Sequence, residues 1–302
     1  MRIFAGENDD NTRLDSVLSE LSTDLSRSKI QNFIKSGYVK VNGTNKKPSY
    51  LLKEGDKIEF EIPEIDEVSI PAQNINIDII YEDENMAVIN KPSGMLTHPT
   101  TKENENTLVN ALLYIFNENL SDINGSFRRG IVHRLDKNTS GLLMVAKNNK
   151  THEYLADLIK NRNITKKYRT IVKGNYPLDE DVIDLPIGRH PTQPHKMAVV
   201  TDGKPSKSII KVIERFKEAT YLEVTLVTGR THQIRVHMSS KGFPVFNDTL
   251  YGAGMAKVKT EEQVLQSFYL RFTKPFSDEI IELQIEPDEK ITKVLNYLKS
   301  RS

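Results

Sequence analysis

The sequence predicts an α+β protein, in which a domain built on a mixed, mostly antiparallel sheet follows a small α/β module. Three observations carry that expectation. Strand-like and helix-like segments follow one another without strict alternation, which argues against a doubly wound parallel sheet. Pro63, Pro71 and the acidic residues between them interrupt the pattern and mark a boundary. The length, 302 residues, accommodates two domains. The expected division is a small domain over 1–64, a linker over 65–74 and a larger domain over 75–302.

Within the small module, Leu14, Val17, Leu18 and Leu21 recur at helical spacing, so an amphipathic helix is expected over about 12–21. A second helix opens near Ser26 as N-cap, buries Ile30, Phe33 and Ile34, and stops at Gly37, which suits the left-handed position after a helix. Val39 and Val41 then alternate in a strand that turns at Asn42-Gly43. Gly55-Asp56 turns into the alternating run 57–62. In the larger domain, 75–81 and 86–90 read as strands joined at Asp83-Glu84-Asn85. Segments 107–116 and 151–161 have helical spacing, and 142–146 reads as a buried strand. Runs 168–172, 221–227 and 279–285, rich in β-branched and aromatic residues, read as further strands. No repeat or low-complexity tract is visible.

The absence of cysteine removes disulfides, thiolate metal sites and cysteine nucleophiles together. The opening residues, Met1 to Glu7, reach acidic side chains before any apolar run develops, so no signal peptide is expected. No stretch approaches the roughly 18 apolar residues that span a bilayer. The expectation is a cytoplasmic protein without a membrane partner. The net charge of +1 conceals segregation. Arg27, Lys29, Lys35, Lys40, Lys46 and Lys47 form one basic run without an acid, and Lys160, Arg162, Lys166, Lys167, Arg169 and Lys173 form another. Two local patches on a neutral chain point to a polyanion held at defined surfaces, although either alone reads better as a solvated face.

The stretch Gly130-Ile131-Val132-His133-Arg134-Leu135-Asp136-Lys137-Asn138-Thr139-Ser140-Gly141 puts a carboxylate between two cations, which favour its ionised form. Asp136 sits on a polar loop that leads into a buried strand, a common place for a working residue. A turn aspartate in a salt bridge fits the same spacing, and the spacing does not separate the two readings. Arg230 and His232 open a helix whose amino end favours an anion. His232 and His237 lie five apart, which is not the usual metal-binding spacing on a helix face, and no metal is expected. His133, His98 and His195 read as hydrogen-bonded or polyanion-facing side chains, and Lys91-Pro92 as a structural turn after a buried strand. Gly203-Lys204-Pro205-Ser206 lacks the upstream glycine of a phosphate loop, and no glycine-rich cradle for a nucleotide cofactor follows a strand.

Four ordered blocks resemble the RluA/RluD-type pseudouridine synthases: Asn90-Lys91-Pro92-Ser93-Gly94, His133-Arg134-Leu135-Asp136 with Thr139-Ser140-Gly141, Lys166-Lys167-Tyr168, and Thr228-Gly229-Arg230-Thr231-His232-Gln233-Ile234-Arg235-Val236-His237 followed by Asp248-Thr249-Leu250-Tyr251-Gly252. The likeness spans about 75–287. Asn247 stands where the family usually has glycine, and asparagine tolerates positive φ better than most residues. Ser206 and Ser208 replace its common alanine and threonine. Arg13-Leu14-Asp15, Leu25-Ser26-Arg27-Ser28 and Gly37-Tyr38-Val39-Lys40-Val41-Asn42-Gly43 resemble the RNA-binding fold shared with the fourth ribosomal protein of the small subunit.

The resemblance implies an isomerase that exchanges the glycosidic bond of uridine from nitrogen one to carbon five after the base leaves its helix. It implies Asp136 as the essential carboxylate, acting either as nucleophile or as proton acceptor, with Arg235 as the partner that keeps it charged. Tyr168 is expected to stack on the uracil, and Arg134 to fill the gap left by the flipped base. Arg230, His232, Lys166 and Lys167 are expected on RNA, and Arg27, Lys29 and Lys35 on phosphates, which position RNA without reading bases. The expected partner is large-subunit ribosomal RNA or a ribosomal precursor particle, with no organic cofactor. Transfer RNA as substrate, or a non-catalytic RNA-binding or assembly factor, are the alternatives. An RNA methyltransferase would need the cofactor cradle that is missing.

Overall fold

The computed structural model describes residues 2–21, 27–61, 70–100, 103–117, 119–252, 258, 260 and 262–301, with backbone only for 27–29, and divides into two units, Met1–Val68 and Ser69–Ser302. The first unit holds β1 (Arg2–Phe4), α1 (Leu14–Leu21), α2 (Arg27–Lys35), β2 (Val39–Val41), β3 (Thr44–Asn45) and β4 (Lys57–Phe60). Its sheet runs β1-β4-β2-β3. Leu14, Val17 and Leu18 of α1 meet Ile30, Phe33 and Ile34 of α2 over Val39, Val41, Ile58 and Phe60, so one stripe of each helix closes one face of the sheet. Gly37 takes φ +83°, with its N–H on Ile34 O (3.2 Å) and that of Tyr38 on Phe33 O (3.0 Å), the left-handed ending the sequence predicts. Asn42 and Gly43 both have positive φ, the requirement of the two-residue hairpin that joins β2 to β3. The expected cap Ser26, and Pro63 with the acidic residues 64, 66 and 67, lie outside the described residues.

The second unit contains β5 (Asp78–Glu82), β6 (Met86–Lys91), α3 (Leu108–Phe116), β7 (Ser140–Ala146), α4 (Asn149–Lys160), β8 (Ile164–Lys173), β9 (Glu180–Asp184), β10 (Ile187–Arg189), β11 (Met197–Val199), β12 (Lys207–Arg215), β13 (Ala219–Leu226), α5 (Gln233–Ser240), β14 (Leu265–Thr273), β15 (Ile280–Gln284) and α6 (Glu289–Lys299). Nine strands form one sheet, ordered β5-β6-β7-β14-β8-β13-β12-β9, with β15 paired to β14. Every pairing in it is antiparallel except β7 with β14, so the mixed, mostly antiparallel α+β architecture stands as predicted. The strand expected over 75–81 starts only at Asp78, and the helix expected over 151–161 starts at Asn149, capped by Asn148, whose side chain accepts from Thr151 N. Strands β1, β3, β9 to β12, β14 and helix α6 were not anticipated from the sequence.

Strand β7 is buried along its whole length, so its entry point lies deep in the sheet. Strand β8 stands two places away, across β14. Helix α5 opens just after β13, the neighbour of β8. This order brings the mouth of β7, one face of β8 and the start of α5 around one cleft.

Candidate active site

The loop that ends in β7 is fixed by its own backbone. Leu135 O accepts from the Thr97 hydroxyl (2.8 Å), and Asp136 O from Thr139 N (3.1 Å). Lys137 O accepts from Lys91 Nζ (3.1 Å), and Asn138 O from Ser93 Oγ (3.0 Å) and Lys290 Nζ (2.7 Å). With its main chain held from several sides, the loop presents the Asp136 side chain to a cleft of about 540 Å³. Lys91, fully buried, also donates to Pro92 O (2.7 Å) and Met95 O (2.8 Å). The Lys91-Pro92 turn is thus a three-carbonyl knot that ties the end of β6 to the Asp136 loop. Burial, then Lys290, pushes the Lys91 pKa down to about 7.

Asp136 meets partners distant in sequence. Its Oδ2 lies 3.2 Å from Arg235 Nη1 and 3.8 Å from His232 Nε2. The flanking cations that the spacing offered go elsewhere: Lys137 pairs with Glu103 (3.2 Å), and Arg134 is exposed at the rim of the cleft. Arg235 sits in the first turn of α5, which aims its guanidinium at Asp248, a fully buried side chain. Nε donates to Asp248 Oδ2 (2.7 Å) and Nη2 to Oδ1 (2.9 Å), a two-point pair that leaves Nη1 for Asp136. Burial works against the Arg235 charge, but Asp248 and then Asp136 outweigh it and raise its pKa. Asp248 Oδ1 further accepts the N–H groups of Leu250 (3.0 Å) and Tyr251 (3.1 Å). The Tyr251 ring faces the guanidinium at 5.0 Å.

His232 takes φ +56° and precedes α5, with Nδ1 2.7 Å from the Tyr251 hydroxyl, which accepts from Met197 N (2.8 Å). Burial lowers its pKa against the pull of Asp136. Tyr168 lies on the cleft face of β8, 7% exposed, and burial pushes its pKa up to about 12. The phenol is therefore protonated at neutral pH. Arg230 lines the same cleft, with Nε on Pro205 O (3.2 Å). His133 is not a ligand: Nε2 accepts from Met144 N (3.0 Å), and burial drives its pKa down to about 3. His237 bonds Ser208 Oγ (2.9 Å) and Leu185 O (3.0 Å). Among the described residues no cluster of three or more His, Asp or Glu is arranged to hold a metal ion.

The second basic run is divided by the alternation of β8. Lys166 faces the cleft with Tyr168, while Lys167 points to the other face, where it pairs with Glu223 (3.0 Å) and lies over the Tyr269 ring (5.2 Å). Lys167, expected on RNA, is thus turned away from the cleft. Arg169 is buried, donating to Ile285 O (2.8 Å) over the Phe268 ring. Lys160 and Arg162, at the end of α4, complete the cleft rim. In the first unit Lys35 is exposed, and the side chains of Arg27 and Lys29 lie outside the described residues. The structure adds Asp248, Tyr251 and Lys91 to the residues that sequence reasoning placed at the site. For Asp248 and Tyr251 the available signal was their shared block with Gly252, which was read as a motif without a partner.

The comparisons agree in order and extent. The RNA pseudouridylate synthase family model matches residues 85–240, and the S4 domain model matches residues 12–58. An uncharacterized RNA pseudouridine synthase of Bacillus subtilis is 40% identical over 297 residues, which cover 98% of this chain and 97% of that one. The ribosomal large subunit pseudouridine synthase D of Zymomonas mobilis is 39% identical over 297 residues, 95% of this chain and 93% of its own. Among solved structures, human RNA pseudouridylate synthase domain containing 1 matches with a TM-score of 0.59 at 26% identity, over 76% of this chain and 97% of that one.

Proposed function

This chain belongs to the RNA pseudouridylate synthase family and isomerises uridine to pseudouridine in RNA; from that premise we propose that it acts on large-subunit ribosomal RNA, through Asp136, Tyr168 and Arg235. The observation that carries the residue assignment is the Asp136–Arg235 contact of 3.2 Å inside the cleft, with Arg235 held on its other side by Asp248. The ribosomal substrate rests on relatives whose names state it, such as that of Zymomonas mobilis. A cytoplasmic location follows from that substrate. We assign residues 1–64 to RNA binding, 65–74 to a linker and 75–302 to catalysis.

In the proposed reaction the target base swings out of its helix into the cleft, and Arg134 at the rim takes its place in the stack. Asp136, charge-paired with Arg235, attacks the sugar or base, or removes the proton from the second sugar carbon, while the bond to nitrogen one breaks. The freed uracil turns against the Tyr168 ring, and a new bond forms from carbon five to the first sugar carbon as the bond to Asp136 breaks or Asp136 returns the proton to the second sugar carbon. The proton on carbon five then leaves and nitrogen one gains one, with the Tyr168 phenol placed to accept the first as it passes its own to solvent. No atom is gained or lost overall. Arg230 and His232, at the start of α5, and Lys166 hold the RNA at the cleft, with Lys35, Arg27 and Lys29 on phosphates elsewhere along it.

Tritium release from RNA labelled at carbon five of uridine tests this reading. Wild type should release tritium and Asp136→Asn should not; equal release from both would remove Asp136 from the mechanism. Mapping pseudouridines in total RNA from a deletion strain tests the substrate, and sites lost only from transfer RNA would overturn the ribosomal assignment.

A further inference from the structure

Strand β8 carries four cations between 166 and 173, and the structure treats one of them differently. Lys167 has Glu223 and Arg169 has Ile285 O. Lys166 is 8% exposed, yet among the described residues it has no hydrogen-bond or ion-pair partner. Burial alone lowers its pKa, with no neighbouring carboxylate pulling it back. Its Nζ opens on the cleft, and an ammonium largely withdrawn from water with no protein acceptor suits a ligand that supplies the missing negative charge.

The surroundings indicate which ligand fits. Asp136 is the one carboxylate among the described residues that line the cleft, and Asp248 and Asp136 already share Arg235. The lining cations other than Arg235, namely Arg134, Lys160, Arg162 and Arg230, are all more exposed than Lys166. Gly229 leaves the space beside the ammonium open: a Cβ there would lie 3.5 Å from Lys166 Nζ, in contact with it. Lys166 and Tyr168 are two residues apart on one face of a strand, about 7 Å along it. That is the scale on which a nucleotide separates its base from its phosphate.

We propose that Lys166 is the binding site for the backbone phosphate next to the flipped uridine, so that base and phosphate are held by adjacent same-face positions of β8. The proposal rests on the reading of the cleft as an RNA site, but not on turnover. Rim cations then gather the strand electrostatically, while Lys166 fixes its depth at one phosphodiester.

The test uses the full-length protein and a fluorescent pentauridylate, as the normal phosphodiester and as the uncharged methylphosphonate. Lys166→Met should weaken the phosphodiester about tenfold or more, the scale of one charge-assisted hydrogen bond, and flatten the salt dependence by about 0.7 in logarithmic slope. Methylphosphonate binding should be the same for both proteins, and Lys166→Arg should restore most of the phosphodiester affinity. In phosphate-free buffer Lys166→Met should melt at or above the wild-type temperature, because a partly desolvated charge with no protein partner has been removed. A lower melting temperature would overturn the proposal by revealing an internal partner for the ammonium. So would equal weakening of both oligomers, unchanged phosphodiester affinity, or no phosphodiester binding by wild type. Tritium release scores the catalytic reading separately, so a phosphate site without activity would sink that reading and leave this one standing.

Discussion

Arg235 spends its Nε and Nη2 on Asp248 and offers Nη1 to Asp136, so a buried carboxylate that never faces the cleft sets the direction of the one that does. Such a pair costs about 3–5 kcal/mol when one partner is removed, because the remaining charge is left buried. Asp248→Asn should therefore lower stability by up to that amount. Below its melting temperature it should also reduce kcat for tritium release about tenfold or more, with KM within about threefold, since a 1.4 kcal/mol loss of alignment is already a factor of ten. Reduced stability with wild-type kcat would make Asp248 structural only. The sequence exposed Asp136 and Arg235, 99 residues apart, only through resemblance; spacing pointed instead to Arg134 and Lys137. That miss has a physical cause. Consecutive side chains on a loop diverge, so charges adjacent in sequence need not be adjacent in space, and Lys137 leaves for Glu103.

Elements were legible where one face is wet. Strands β2 and β4 alternate buried with more exposed residues, and α1 and α2 carry clear stripes, so these elements of the small unit were readable, whereas the short β1 and β3 were not. Strand β14 was not, because it lies in the middle of the sheet and buries Leu265, Gln266, Ser267 and Phe268 in succession, which erases the period of two. Its place explains Gly141. At φ +113°, a Cβ on that residue would lie 2.0 Å from Ser267 O, where β7 meets β14 in the sheet's only parallel pairing among the described strands. Gly141→Ala should be far more damaging than Gly43→Ala, whose φ is +73° but whose Cβ would meet nothing within 4 Å. The second change carries only the left-handed strain of about 1–2 kcal/mol. Urea denaturation of both variants compares them, and similar losses would mean that β7 and β14 can part without harm to the Asp136 loop.

At the scale of the whole molecule the charge of +1 is a poor guide, because the cations are concentrated where their neighbours are not acids. Lys35 and Lys47 are exposed on the first unit, whereas the cleft of the second holds its own set around Asp136. Under the proposed function the two sets do different work. Phosphate contacts on the first unit add affinity for a long, structured RNA without touching the reacting base, so they raise occupancy and leave the chemical step alone. Lys35→Glu combined with Lys47→Glu should therefore raise KM on a long structured ribosomal fragment about tenfold, with kcat within about twofold and a shallower dependence of binding on salt. The same double variant should handle a short oligonucleotide that spans only the target as wild type does, because that substrate has no length left for the first unit to grip. If KM on the long fragment stays the same, the exposed lysines are solvated and the S4-like unit binds by another surface. If the short substrate suffers as much as the long one, the two units do not divide recognition from chemistry in this way.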